Sequence, residues 1–458
     1  MVKQTAYDYD LIVIGSGAGG SVAASIAAKS GKHVAVIEAE MFGGESPNWG
    51  DVPIKALLHA TQLYDEARHG TRFGIRSAML SYNYPSLINW KELAIKRTGT
   101  GDNRRYYEKQ GIDTFHGVAH FLSPNEISVN RRHLSAKNFL IATGSHVVPP
   151  AIIGLETVKY LTPRSVHSLM RPPKKLLIVG GGTTGVELAQ LMAIYGTKVY
   201  LVEIAARLLP QEDEEVGLLM ERLLKEKKGV TTLTQTRVIS VVKEGIAKRV
   251  TFSRGDMEKS IQVDEVLIAT GRRPMVDIGL ENASVSYTPQ GIEVNEYLQT
   301  SARHIYAAGD VLGHSSHTHT ALAESRVAAH NILRKEKVKP NYNGTPRLTF
   351  TFPGVASVGL SEDDAMKRDL DFNKAMAPLN MIARSNTSDF RDGFCKIITD
   401  KKGVILGATV VAPHAAEIIH ELALAVRHGM TAEELATTPH AFLSWSEVVR
   451  VAAAKLVS

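Results

Sequence analysis

Six glycines and two glutamates of this chain stand at spacings suited to holding a pyrophosphate and a ribose. Residues 10–38 read DLIVIGSGAGGSVAASIAAKSGKHVAVIE, with Gly15, Gly17 and Gly20 in the pattern G-x-G-x-x-G and Glu38 at the end. Residues 175–203 read KLLIVGGGTTGVELAQLMAIYGTKVYLVE and repeat it with Gly180, Gly182, Gly185 and Glu203. The acid follows the first glycine by 23 residues in both units (15 to 38, 180 to 203). The first glycine permits a tight turn, the second lets backbone approach a pyrophosphate, and the third lets helix and strand pack closely. The anion then sits at the helix N-terminus, on free N–H groups and the positive end of the dipole. The terminal carboxylate accepts hydrogen bonds from an adenosine ribose. A glycine triplet alone is weak evidence; two, each set between strand and helix with an acid after the next strand, predict two dinucleotide sites.

The elements that must position these residues are legible around them. Apolar Leu11 to Ile14 predicts a buried strand, a small-residue helix follows, and His33 to Ile37 predicts the second strand. At 458 residues the chain exceeds one typical core and predicts two to four domains. Hydrophobic content of 44% and charged content of 22% are ordinary for a soluble globular protein. No apolar run approaches the roughly eighteen residues of a membrane span. MVKQTAYDYDLIVIG has no export-signal pattern, so the expected location is cytoplasmic. Net charge is +6, and the short basic clusters Arg104-Arg105, Arg131-Arg132 and Lys174-Lys175 are scattered, which suits solvated surface better than a nucleic-acid groove. Cys395 is the only cysteine, which excludes an intrachain disulfide and a cysteine-rich metal site. In "GFCKII" it reads as a small buried apolar residue.

With both units in place, the chain resembles the pyridine nucleotide–disulfide oxidoreductase family, which includes dihydrolipoyl dehydrogenase, glutathione reductase, mercuric reductase and the soluble transhydrogenase. The resemblance rests further on "IATGS" (Ile141 to Ser145), "IATGRRP" (Ile268 to Pro274), "IYAAGD" (Ile305 to Asp310) and "PGVASVGLSE" (Pro353 to Glu362). It implies an α/β chain with two Rossmann-like domains, FAD in the first and a nicotinamide in the second, and an α+β C-terminal dimerisation domain. The implied division is an FAD part of residues 1–150 and 271–339, an NAD part of 151–270 and an interface part of 340–458, in a homodimer. The implied FAD contacts are Gly15, Gly17, Gly20, Glu38, Gly43, Gly44, Lys55, Ala119 (in Gly117-Val118-Ala119), Thr143, Gly144, Asp310 and Thr318. The implied NAD contacts are Gly180, Gly182, Gly185, Glu187, Glu203, Val238 and Gly271. Lys55 matches a lysine near flavin N5, with Glu187 as its orienting partner: an ammonium there favours electron-rich flavin. Thr318 falls where a helix N-terminus faces the flavin pyrimidine edge.

Two departures bear on function. The family motif G-G-T-C-x-N-x-G-C-x-P-S-K reads "GGESPNWGDVPIK" here, Gly43 to Lys55, with Ser46 at the outer cysteine and Asp51 at the inner. The closing H-P-T-x-x-E reads "HAFLSWSE", with Phe442 at the histidine, Glu447 retained and His440 two residues early. Thiols and base are missing together, and the tail "AAAKLVS" lacks metal-delivering cysteines. The expectation is a FAD-dependent reductase passing hydride from NADH to a non-disulfide acceptor, a quinone, with catalytic positions Lys55, Glu187, Asp51 and Glu447. A transhydrogenase or a flavin-bearing sensor are the alternatives; dihydrolipoyl dehydrogenase activity is not expected. Asp51 reads equally as a carboxyl with a raised pKa that protonates a quinone, or as a cap of the helix after it. Trp49 reads as packing or as a platform for a flat acceptor. A 2′-phosphate about 5 Å from Glu203 is repelled by about 3 kcal/mol, a hundredfold preference for NADH over NADPH, unless the nearby Arg207 compensates.

His314, His317 and His319 form a cluster without acidic or thiol partners in the sequence, which suits a loop beside the flavin better than a metal site. Ala415 to Ala436 predicts an amphipathic helix stopped at Gly429 and a new one opened by a Thr431–Glu434 capping box. "RLTFTF" and "GVILGATVVA" alternate as in an antiparallel sheet.

Overall fold

The computed structural model describes residues 7–76 and 80–457, which pack into two units. One takes the described residues within Met1–Ala56, Ser86–Val148 and Gly271–Asn341; the other those within Leu57–Pro85, Pro149–Thr270 and Tyr342–Ser458.

The first unit is built on the strand Tyr9–Ile14, buried almost throughout. It pairs in parallel with Val34–Glu38 on one side and with Arg132–Ile141 on the other. Asp113–His116 and Ile305–Ala307 extend the parallel sheet at its two sides. A buried parallel sheet needs apolar residues on both faces, which is why these strands read as runs instead of alternations. The N-terminal half of Arg132–Ile141 pairs antiparallel with Glu126–Val129, and that strand with His120–Ser123. Helices Ala18–Lys29 and Thr318–Leu333 are joined by a hydrogen bond from Ala23 N–H to the Ser325 hydroxyl, 3.0 Å. Small residues such as Gly19, Gly20, Ala23, Ala24 and Ala27 are buried on the first of them.

The second unit repeats the parallel arrangement with four strands in the order Thr231–Leu233, Lys198–Val202, Lys175–Val179 and Glu265–Ile268. A three-stranded antiparallel sheet, Arg237–Glu244, Ala247–Arg254 and Met257–Val263, is inserted before the last. The C-terminal portion is a five-stranded antiparallel sheet ordered Pro346–Thr349, Gly354–Gly359, Ile405–Ala412, Phe394–Asp400 and Phe372–Pro378. Helices Ala415–His428 and Glu447–Val457 cover it, sharing one apolar core with it. The expected alternation gives way here: Ile405–Ala412 and Phe394–Asp400 are buried on both faces. The second face is polar and internal. Thr409 donates to Asp213 at 2.9 Å and Ser357 to Glu212 at 2.5 Å. Lys396, 2% exposed, sits among Asp213, Glu215 and Glu362 at 3.6, 3.0 and 2.6 Å. Helix ends follow the sequence: Thr431 and Glu434 form the capping box, and Gly429 closes the preceding helix in the left-handed conformation. No helix among the described residues is long and apolar enough to cross a membrane.

Candidate functional site

The two glycine turns are built alike. Gly15 and Gly180 have φ of +103° and +111°, a region that side chains rarely occupy. A methyl on Gly20 would stand 2.1 Å from the Gly15 carbonyl oxygen, and one on Gly185 1.8 Å from that of Gly180, so helix and turn meet at backbone contact. Gly17 and Gly182 precede their helices without a side-chain cap, leaving first-turn N–H groups available. Nothing lies within 4 Å of where a Gly182 methyl would stand. The acids match as well. Glu38 accepts from the Ser16 N–H (3.0 Å) and hydroxyl (2.5 Å) and the Glu40 N–H (2.9 Å). Glu203 accepts from the Gly181 N–H (2.6 Å) and the Ala205 N–H (2.7 Å). Each buried carboxylate is thus fixed beside its own glycine turn, as ribose recognition requires.

Further residues of the first unit gather around its turn. Gly44 touches Gly17, where a methyl would meet Cα at 2.7 Å, and Gly43 N–H donates to the Ser16 hydroxyl at 2.9 Å. Gly117 N–H donates to the Glu38 carbonyl at 2.8 Å, which brings the Gly117–Ala119 segment to the acid's strand. Asp310 accepts from the Ser145 hydroxyl at 2.6 Å and lies 3.9 Å from Arg272. Burial pushes its carboxyl up, more than Ser145 and Arg272 pull it down. Thr143 donates its hydroxyl to the Met275 carbonyl at 2.6 Å, which ties the Gly144 turn to the segment after Gly271. Arg272 also donates to the Ser145 carbonyl at 2.6 Å and reaches Glu45, at the position of the motif's threonine, at 3.3 Å. Neither Arg272, inside "IATGRRP", nor Glu45, at the motif's threonine position, carries a sequence signal for this pairing, which spans 227 residues.

At the cysteine positions the structure has a hydroxyl and a carboxylate bonded to each other. Ser46 donates to Asp51 Oδ2 at 2.7 Å. Thr318, the first residue of its helix, donates to the same oxygen at 2.7 Å. Lys55 Nζ lies 3.7 Å from Oδ1. Asp51 opens the helix Asp51–Arg68, with Pro53 in the first turn where proline is tolerated. Partial burial pushes the Asp51 carboxyl up, but the Lys55 ammonium and the Ser46 and Thr318 hydroxyls together hold it below the usual carboxylate value. Of the two sequence readings of Asp51, this cluster favours the hydrogen-bonded residue that opens its helix over the carboxyl with a raised pKa. Trp49 is half-buried.

In the second unit Glu187 is buried and accepts from the Phe350 N–H at 2.7 Å. Val238 is buried on the strand Arg237–Glu244. Phe442 is 74% exposed. Glu447 accepts from the Leu443 N–H at 3.1 Å, so it braces the loop beside Phe442, and Leu443 has a φ of +63°. His440 packs its ring against Glu421, with Nε2 at 3.1 Å from the carboxylate. Arg207 donates to Asp363 at 2.7 Å. Cys395 is fully buried, and burial pushes its thiol up. The histidine cluster does have an acidic neighbour, contrary to its sequence reading: His314 lies 3.1 Å from Glu324, which raises its pKa. Among the described residues no group of three or more potential ligands could hold a metal ion.

Two uncapped glycine turns, each followed by a fixed carboxylate, define an α/β fold with two dinucleotide sites. The comparisons agree. Residues 9–325 match the profile of the pyridine nucleotide-disulphide oxidoreductases and residues 345–453 that of their dimerisation domain. The chain is 34% identical over 455 residues to dihydrolipoyl dehydrogenase of Bacillus subtilis, covering 97% of this chain and 95% of the relative. It is 33% identical over 459 residues to mercuric reductase of Streptomyces lividans, covering 98% and 96%. Among solved structures it superposes on the HOCl-induced flavoprotein disulfide reductase RclA from Escherichia coli with a TM-score of 0.86 at 26% identity, covering 97% of this chain and 99% of that one. LpdA from Mycobacterium tuberculosis gives a TM-score of 0.87 at 28% identity, covering 98% and 100%. The chain therefore belongs to the pyridine nucleotide-disulphide oxidoreductase family, whose members use FAD and NAD(H) or NADP(H).

Proposed function

We propose that this protein is a homodimeric, cytoplasmic NADH oxidoreductase that passes hydride through FAD to a non-disulfide acceptor, a quinone. The three-part division given above is part of the proposal. FAD is assigned to the first glycine turn with Glu38, Gly43, Gly44, Asp310, Thr318 and Lys55, and the nicotinamide dinucleotide to the second turn with Glu203. When bound, the flavin supplies two-electron acceptance from NADH and release to the acceptor. The carrying observation is the Ser46–Asp51–Thr318 cluster. A hydroxyl and a carboxylate cannot cycle between thiol and disulfide, so nothing at the motif can take electrons onward.

The residues around that cluster have roles that follow from their charge. Asp51 holds the Lys55 ammonium, and Lys55 favours negative charge close by. With Asp51 ionised, the one proton consumed as NADH and a quinone give NAD⁺ and a hydroquinone comes from solvent or from Lys55 and not from Asp51. The test is anaerobic reduction of the FAD-loaded protein with NADH, followed by rapid mixing with menadione, lipoamide, thio-NAD⁺ or air-saturated buffer. Fast reoxidation by menadione and none by lipoamide supports the proposal. Reoxidation by lipoamide at a comparable rate overturns it.

A further inference from the structure

The second turn poses a specificity question that Glu203 alone does not answer, because Arg207 follows four residues later and a guanidinium is the natural partner of a 2′-phosphate. The segment from 203 to 209 is closed onto the glycine turn at both ends. Glu203 takes the Gly181 N–H, and the Leu209 N–H returns to the Gly181 carbonyl at 2.9 Å. Arg207 therefore starts from the rim of the adenosine end of the site. Its side chain nevertheless runs along Gly217, where a methyl would meet its Cβ at 3.1 Å and its Cδ at 3.2 Å. It ends on Asp363 at 2.7 Å, with a longer bond of 3.3 Å to the Glu212 carbonyl. Both bonds use the same nitrogen, Nη2, and the buried Nε has no hydrogen-bond partner among the described residues. A buried donor left unmade is costly, so the guanidinium is held in this place by the Asp363 carboxylate and little else.

We infer that Asp363, far from the dinucleotide in sequence, is a specificity-determining residue: it keeps Arg207 away from the 2′ position and so preserves the preference of Glu203 for NAD over NADP. Removing its charge releases an arginine already mounted on the rim of the site. Arg207 then pairs with a 2′-phosphate and offsets part of the repulsion from Glu203. The inference rests on the assignment of a nicotinamide dinucleotide to the second turn.

The experiment measures dissociation constants of NAD⁺ and NADP⁺ by isothermal titration on the FAD-loaded protein, for wild type, D363N, R207A and D363N/R207A. Wild type binds NAD⁺ about a hundredfold more tightly. D363N tightens NADP⁺ by about tenfold and leaves NAD⁺ unchanged, and the double variant returns to the wild-type ratio. NAD⁺ affinity serves as the folding control. Unaltered NADP⁺ affinity in a D363N protein that binds NAD⁺ normally overturns the inference, and so does a gain that survives in the double variant. Should D363N fail to fold, R207A alone decides: the inference requires both constants unchanged, and weaker NADP⁺ binding contradicts it. If wild type binds neither dinucleotide, the assignment of the second turn falls first.

Discussion

Asp51→Asn separates the ionised cluster seen here from a proton-donating carboxyl. Two hydroxyl donors, Ser46 and Thr318, reach one oxygen of Asp51 at 2.7 Å each. A hydrogen bond to a charged group contributes about 1.5–3 kcal/mol against about 1 kcal/mol for a neutral one, so neutralising the acceptor costs roughly 1 kcal/mol per donor. The Lys55 pair adds a few tenths at 3.7 Å. With the Asp51 side chain 51% exposed, solvent screening reduces the sum to about 1–2 kcal/mol. The sign of the pH dependence follows from the depressed pKa. The charged form is favoured in the folded protein, so its contribution is present above the unfolded-state value of 3.8 and is lost only as pH falls through the lower folded value. The assay is urea denaturation of FAD-loaded wild type and D51N at pH 7, 6 and 5, followed by flavin and tryptophan fluorescence. The D51N midpoint is lower at all three pH values by the same amount. An equal or higher D51N midpoint at pH 7, or a difference that vanishes between pH 7 and 5, refutes the ionised assignment.

Other perturbations reach other parts of the account. Gly182→Ala has room in the fold, with nothing within 4 Å, and a φ of −74° that alanine adopts. Its methyl obstructs the pyrophosphate, so NAD⁺ affinity falls at least about tenfold by titration while the thermal midpoint is unchanged. Lys396→Met leaves buried Asp213 beside Glu215 and Glu362 with no compensating ammonium. The expected cost is about 3–5 kcal/mol, read from denaturation midpoints. Buried Cys395, its thiol pushed up, resists iodoacetamide in the native protein at pH 7 and is alkylated in full in guanidinium.

What could be read from the sequence was whatever the backbone itself demands. The turns at Gly15 and Gly180 need positive φ, and the helix approaches at Gly20 and Gly185 exclude any side chain, so the residue type carries the geometry. The Thr431–Glu434 box and the Gly429 stop were legible for the same local reason. Partnerships between distant positions were not. Arg272–Glu45, Arg207–Asp363 and His314–Glu324 each join residues that no spacing rule connects. Asp51 was ambiguous because burial and neighbouring charge act in opposite directions, and the winner depends on Lys55 and on Thr318, 267 residues away. Nothing in "GFCKII" marks the buried ionic network around Lys396, because its carboxylates, Asp213, Glu215 and Glu362, come from distant segments.

The most direct test of the central claim counts electrons. The FAD-loaded protein is titrated anaerobically with dithionite while the flavin spectrum is followed. A flavin coupled to a redox-active disulfide takes up two electron pairs, one for each centre; with Ser46 and Asp51 at the cysteine positions, one pair per FAD is expected. Complete bleaching is expected at one electron pair per FAD, with no long-wavelength thiolate–flavin absorbance on the way. Uptake of a second pair before bleaching is complete would contradict it.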